Sequence, residues 1–418
     1  MIALQYQKSI PRFFWVAATG KRFPNQITGF ASPLSLIDLP ERPLPSQKWT
    51  RIQPLMSGIC GSDLSVLSSS GSRYLSAVTS FPFTPGHEVV GEVIEIGNEV
   101  SSFQIGERVV LEPALSCEVR EISPPCEPCD SGNYANCERL TEGTIGTGLQ
   151  TGYCHDTGGG WGSQLLAHEK QLHKVPTQIP TSVAVLTEPL SCAIHGVLQA
   201  KIEERDTSLV IGCGSLGLLT ILSLKAFAPT CRIIAVAKHS HQVDLAWKFG
   251  ADYVVKSGES RYSELSELTK AKLYPLILEP PAVIGGSDFT FDCVGTQSSV
   301  RDAFRWTRSH GTVVLVGMPK PSKIDLAPFW AQELTLIGTY AYGIESSPTG
   351  QGKRSFELAL ELLSQKNIQD NLIKLTQNQF PLNKYRDAIS SAITTGKSRS
   401  IKTVFDFRQN SIWYKDQE

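Results

Sequence analysis

Apolar and polar positions along this 418-residue chain change rhythm near residue 208. Before that point, WTRIQPLMSG, the run after GHE and FQIGERVVLEP read as short strands broken by turns, with Arg108 to Leu111 inside the sheet. The first fifty residues, with PRFFW and LPERPLPSQKW, read as extended segments and turns with no long helix. SVLSSSGSRYLSAVTS reads as a surface loop. VAVLTEPLSCAIHGV repeats apolar residues at helical offsets, and Thr187-Glu188-Pro189 fits a first turn. From Ser208, strand, turn and helix alternate strictly: TSLVIGCGSLGLLTILSLKAFA, then CRIIAVAKHSHQ and a helix ending at Phe249-Gly250. Further strands are expected at Tyr253–Val255, Asp288–Cys293, Thr312–Val316 and Leu334–Ile337, which completes a doubly wound α/β pattern. LTKAKLYPLILEPPAVIGGS interrupts it irregularly. The tail offers a helix, SFELALELLSQK, and a closing strand, SIKTVFDF. A chain this long exceeds one ordinary core, so two domains are expected.

Charge narrows the partners. Lysine and arginine number 39 against 40 acidic residues, which leaves no basic field for nucleic acid or an anionic membrane and favours a small-molecule substrate. No apolar run of roughly 18 residues occurs, and MIALQYQKSIPRFFW is interrupted before any leader-like core forms, so a cytoplasmic location is expected.

Candidate chemistry lies in three places. In TPGHEVVGEVIEIGNEV, His87 and Glu88 can both bind a metal, at a strand mouth marked by Gly91 and Gly97. Upstream, GICGSD sets Cys60 between two glycines on a turn. Four of the ten cysteines crowd together as Cys117, Cys126, Cys129 and Cys137. In a reducing compartment such crowding reads as metal ligation, and four thiolates close a tetrahedral structural zinc site. Eight residues, EVREISPP, separate Cys117 from Cys126, so either the loop bulges or Cys117 is not a ligand. His155, His168 and His173 lack ligand spacing and read as loop or surface histidines.

The third place is Gly212, Gly214, Ser215, Leu216 and Gly217, a GxGxxG between strand and helix. The first glycine permits the turn, the second lets the backbone approach a pyrophosphate, and the third lets helix and strand pack closely. The acid that usually ends the following strand in NAD sites is replaced by Ala237, with Lys238 and His239 beside it. A lysine there attracts a 2′-phosphate, so NADP is expected to be accepted at least as well as NAD; an exposed basic turn is the alternative.

These motifs stand in the order found in zinc-dependent medium-chain alcohol and polyol dehydrogenases, which the chain resembles over nearly its whole length after residue 50. The resemblance implies a GroES-like, partly open β-barrel catalytic domain over residues 1–190, a Rossmann nucleotide-binding domain over 191–342, and a C-terminal return to the catalytic domain over 343–418. It makes Cys60 and His87 catalytic zinc ligands and Ser62 the hydroxyl that relays the substrate proton. Glu188, in Glu-Pro-Leu, matches the polyol dehydrogenase acid at that zinc, with Cys192 as competitor and Glu88 as an alternating fourth ligand or a supporting acid. Many members have a His shortly after the Asp of this motif, where Leu64 and Ser65 follow Asp63 here. The implied function is hydride transfer between an alcohol or polyol and NAD(P), with catalytic and structural zinc, in a homo-oligomer (dimer or tetramer). The alternative is a cofactor-binding regulatory or structural relative without turnover.

Overall fold

The computed structural model describes all residues except 21, 259, 347–351 and 410–418. Contacts gather the chain into two compact units, Met1–Glu188 with Pro348–Glu418, and Pro189–Ser347.

The first unit is built on the strand Trp49–Gly58, which pairs antiparallel with Val89–Ile96, Leu165–His168 and Thr403–Asp406. Val89–Ile96 passes the sheet to Arg108–Leu111 and then Leu172–Lys174, while Asn378–Phe380 runs parallel to Thr403–Asp406 at the other edge. Pro54 sits within the central strand because the register shifts between Pro54 and Met56; a proline cannot donate to a ladder and is tolerated at such irregularities. Ile52, Val93, Val109, Leu165 and Ala167 form the core on one side.

Two stretches differ from the sequence reading. Ile10–Thr19 is a ten-residue α-helix whose one buried residue is Val16. Pro11 stands in its first turn, where no amide donor is needed, so a proline that suggested a break is instead a start. The serine-rich stretch is also ordered, as the helix Gly61–Leu67 and a 3₁₀ turn at Arg73–Val78.

The second unit is a parallel sheet in the order Tyr253–Lys256, Arg232–Ala237, Thr207–Ile211, Ser287–Asp292, Thr307–Leu315, Thr335–Gly338. The chain reverses its direction across the sheet between Thr207–Ile211 and Ser287–Asp292, which is the switch point where such folds bind ligands. The unpatterned stretch forms a hairpin, Lys272–Leu276 with Glu279–Ile284, whose tip exposes Ile277 and Leu278. Lacking a buried face along most of its length, it shows no alternation to read.

The histidine expectation is corrected at two positions. His168 is buried at a strand end, and His173 donates or accepts at 2.6 Å with Glu112 Oε2 while stacking on Phe356. Glu112 is 1% exposed and also accepts from Arg354 at 3.0 Å. Burial opposes its charge, but the His173 hydrogen bond and the Arg354 guanidinium lower its pKa overall. A lowered folded pKa stabilises the protein above the ordinary carboxylate value, and this contribution is lost as pH falls through the folded value. Glu112→Gln is therefore expected to cost about 3 kcal/mol in urea unfolding at pH 7. The gap to the unaltered protein should narrow below about pH 4; a gap independent of pH would reject the ion-pair account.

Candidate active site and metal centres

Cys60 leaves the end of Trp49–Gly58 and caps the helix Gly61–Leu67, with its thiol half-buried. His87 and Glu88 directly precede the strand Val89–Ile96. The ligand atoms of Cys60, His87 and Glu88 lie within 4.8 Å of one another. Asp63 lies beneath them, 2% exposed. It accepts from the Cys60 amide at 3.0 Å and the Tyr153 hydroxyl at 3.2 Å, and faces His87 Nδ1 at 3.5 Å. Burial opposes charge on the His87 ring, yet Asp63 and Cys60 raise its pKa well above the ordinary imidazole value. Ser62 Oγ stands 3.5 Å from His87 Nε2.

Glu88 is 1% exposed and forms an ion pair with Lys402, which is itself buried and also donates to the Ile59 carbonyl at 3.3 Å. Burial pushes the lysine pKa down, but the Glu88 charge and then that of Cys60 raise it overall. Gly58 makes the arrangement possible, since a Cβ there would stand 1.8 Å from Glu88 Oε2. Among the described residues, His87 Nδ1 and Glu88 Oε2 are buried without a hydrogen-bond partner. A thiolate, an imidazole and a carboxylate with two orphaned buried atoms fit a zinc ion. Glu188, in the first turn of Thr187–Ala200, is buried but is not part of the grouped atoms; its charge reaches Lys402. Cys192 is half-buried on the same helix.

The other four cysteines do converge. Cys117 Sγ lies 3.6 Å from Cys126 and 3.7 Å from Cys137, and Cys126 lies 3.9 Å from Cys137. Cys129 Sγ accepts from the Cys117 amide at 3.5 Å. A tetrahedron with zinc–sulfur bonds of about 2.3 Å has edges of about 3.8 Å, so the spacing fits a closed four-thiolate site. Burial raises the Cys126 thiol pKa, but the Glu138 and Cys129 amides and neighbouring thiols bring it down to about 7. Cys137, by contrast, is pushed up to about 11 by burial and Cys117. The long spacing resolves as a bulge that keeps Cys117 in the cluster. The bulge folds around Arg120, which is fully buried and donates to the carbonyls of Leu115, Glu142, Ile145, Gly146 and Gly148 at 2.7–3.1 Å.

In the second unit, Gly212 turns the chain out of Thr207–Ile211 with φ +93°, and Gly214 caps the helix Ser215–Phe227 without a side-chain hydrogen bond. A Cβ on Gly217 would stand 1.7 Å from the Gly212 carbonyl, whereas one on Gly214 would meet nothing within 4 Å. The open space at Gly214, the uncapped amides of Ser215 and Leu216, and the orphaned buried Ser215 hydroxyl fit a pyrophosphate at a helix N-terminus. Ala237 ends Arg232–Ala237, Lys238 is exposed beside it, and His239 caps the next helix, its ring stacked on His241. Lys256 pairs with Ala237 across the strands and reaches Ser240 Oγ at 3.1 Å.

Sequence reasoning did not single out Lys402, Tyr153, Arg120 or Lys256, and it treated Asp63 only as a landmark. Asp63 carried a readable signal, three residues after a helix-capping cysteine. Lys402 carried none.

A strand-built unit with a thiolate–imidazole–carboxylate cluster, joined to a six-stranded parallel unit with a phosphate cradle, defines a metal-dependent, nucleotide-linked enzyme class. Family models agree: residues 46–177 match the alcohol dehydrogenase GroES-like domain and residues 215–365 the zinc-binding dehydrogenase domain. A sorbitol dehydrogenase of Arabidopsis thaliana is 28% identical over 361 residues, covering 85% of this chain and 88% of its own. The (R,R)-butanediol dehydrogenase of Saccharomyces cerevisiae is 27% identical, covering 74% of this chain and 80% of its own. The crystal structure of a short chain alcohol dehydrogenase from E. coli CFT073, complexed with NADH, shares the fold at TM-score 0.70 and 22% identity, covering 97% and 99% of the two chains. The chain belongs to the zinc-dependent medium-chain alcohol and polyol dehydrogenase family.

Two zinc ions per chain are expected on metal analysis. Cys129→Ser should remove about one of them and lower thermal stability, because structural zinc couples to folding. One zinc in the unaltered protein would reject the four-cysteine assignment.

Proposed function

We propose that this protein is a zinc-dependent oxidoreductase that transfers a hydride between an alcohol and NAD(P), a reading supported by the cluster of Cys60, His87 and Glu88 over buried Asp63. The reaction oxidises an alcohol to its ketone or aldehyde: the hydroxyl loses a proton, the carbinol carbon loses a hydride, and the cofactor is reduced. When bound, zinc supplies Lewis acidity toward an alcohol oxygen, and the nicotinamide supplies the hydride acceptor. Cys60, His87 and Glu188 would hold the catalytic zinc, with Glu88 behind them. Asp63 orients the His87 ring, as carboxylates commonly do for metal-bound histidine. Ser62 takes up the hydroxyl proton at its Oγ. Lys402 keeps the buried Glu88 charge compensated throughout.

Gly212, Gly214, Ser215, Leu216 and Gly217 hold the cofactor pyrophosphate. Lys238, with Lys256 close by and no acid at Ala237, favours the 2′-phosphate of NADP. His239 borders the same ribose position. No helix among the described residues is long and apolar enough to cross a membrane, and we propose a cytoplasmic homo-oligomer, a dimer or tetramer, which sedimentation of the purified protein would measure.

Reduction of NAD(P) by a panel of alcohols, followed by absorbance, tests the activity. Ser62→Ala and Glu188→Gln should each lower kcat by about 10²–10⁴-fold, whereas Cys192→Ser should leave turnover and zinc content near normal; the reverse pattern would move the third ligand to Cys192. Lys238→Ala should raise KM for NADP by about tenfold with little change for NAD. Equal effects on both cofactors would make Lys238 merely a surface charge.

A further inference from the structure

The polar groups around the candidate metal centre are engaged with one another, and what they leave presented is apolar. Asp63 is held by the Cys60 amide and the Tyr153 hydroxyl, and Glu88 by Lys402. From His87 an aromatic wall extends through Tyr153, with ring centroids 6.0 Å apart, to Phe83 at 5.3 Å and then Phe81 at 5.4 Å. Leu64 and Val66, on the helix that Cys60 caps, pack against the same cluster. Phe83 is buried within it, whereas Leu64, Val66, Phe81 and Tyr153 keep part of their surface accessible. Between Asp63 and His87 the sequence has a single formally charged residue, Arg73, and its guanidinium is turned over the rings of Phe13 and Phe14 at 5.7 and 5.8 Å.

Resting on the dehydrogenase reading above, we infer that the substrate is an alcohol bearing an aromatic or bulky apolar substituent on its carbinol carbon, seated against Leu64, Phe81 and Tyr153, and not a polyol. A polyol brings several hydroxyls besides the reacting one. Each of them would lose water against this wall with no partner to replace it, at a cost of about tenfold or more in affinity. An apolar ring gains where the polyol loses, through burial of its own surface and edge or face contact with the wall rings. The chemistry is unchanged: the carbinol hydride passes to NAD(P), the hydroxyl proton leaves, and the product is an aryl or alkyl ketone or aldehyde.

The test uses the full-length, zinc-loaded protein with both cofactors. The ratio kcat/KM for 1-phenylethanol over sorbitol is expected to exceed about 100-fold, the sum of two or more unpaired hydroxyls. Phe81→Ser and Leu64→Ser should lower the ratio of 1-phenylethanol over propan-2-ol by about tenfold through KM, and Phe81→Leu should retain it. Calorimetric titration of acetophenone gives a second readout that needs no turnover, and its affinity should fall in the two serine variants. Turnover of sorbitol equal to or better than 1-phenylethanol, or variants that leave the ratio and the acetophenone affinity unmoved, overturns this inference while leaving the dehydrogenase reading intact. Absence of cofactor reduction with every alcohol overturns both.

Discussion

A carboxylate buried beside two other metal-ligand side chains is tolerable only if a cation is buried with it, and the Glu88–Lys402 pair meets that condition across 314 residues of sequence. An isolated ion at that depth costs several kcal/mol, and removing one partner of such a pair is far more damaging than never having built it. The pair also dictates backbone. Gly58 has no room for a side chain because Glu88 occupies the space, and Lys402 arrives there because Thr403–Asp406 pairs with Trp49–Gly58, with Val404 opposite Gly58. Closing the sheet and neutralising the site are one event. The C-terminal strand is thus part of the centre's electrostatics, and the first unit cannot be completed from its N-terminal residues alone.

What could be read from the sequence shares one property: the signal is short-range. Cys60 between glycines, His87 next to Glu88, the CxxC with its flanking cysteines, and GxGxxG between strand and helix each put their chemistry within a couple of turns of chain. The structure gathers those residues into the groups the spacing suggested. The alternation of strand and helix after Ser208 is read as easily, because each buried strand runs apolar throughout. Lys402 escaped because its partner is set by tertiary closure, and a lone lysine before a strand reads as solvated. Ile10–Thr19 escaped for a different reason: a helix that buries only Val16 has almost no periodic stripe to detect. The hairpin at 272–284 exposes most of its apolar side chains, so its pattern carries no inside and outside.

The four-cysteine lobe handles buried charge in the opposite way to the centre. Arg120 is fully buried, yet what surrounds its guanidinium is five backbone carbonyls. Those carbonyls belong to a loop with little regular structure, whose acceptors would otherwise be orphaned, so one planar cation with a rigid fork of donors organises the segment. The thiolates of Cys117 and Cys137 and the nearby Cys154 and Asp156 act on the same guanidinium. A four-thiolate zinc site carries a net negative charge, and a buried cation nearby offsets it. The extra residues between Cys117 and Cys126 therefore supply both the bulge and the counter-charge that makes the bulge compatible with the cluster.

Asp63 shows how secondary structure sets chemistry at the centre. It is the third residue of a helix capped by Cys60, and its carboxylate returns to the Cys60 amide as a capping box requires. The same carboxylate accepts the Tyr153 hydroxyl and faces His87. A capping interaction ordinarily fixes only where a helix begins. Here the helix start fixes the direction of the Cys60 side chain, the rotation of the His87 ring and the position of the Tyr153 ring together, since all three are referred to one rigid group. That explains the spacing from Cys60 to Asp63 better than any direct role for Asp63 as a ligand: one residue nearer or farther, the carboxylate would leave the capping position and the three side chains would lose their common reference. Ser62, lying between them on the first turn, inherits its 3.5 Å approach to His87 from the same cap.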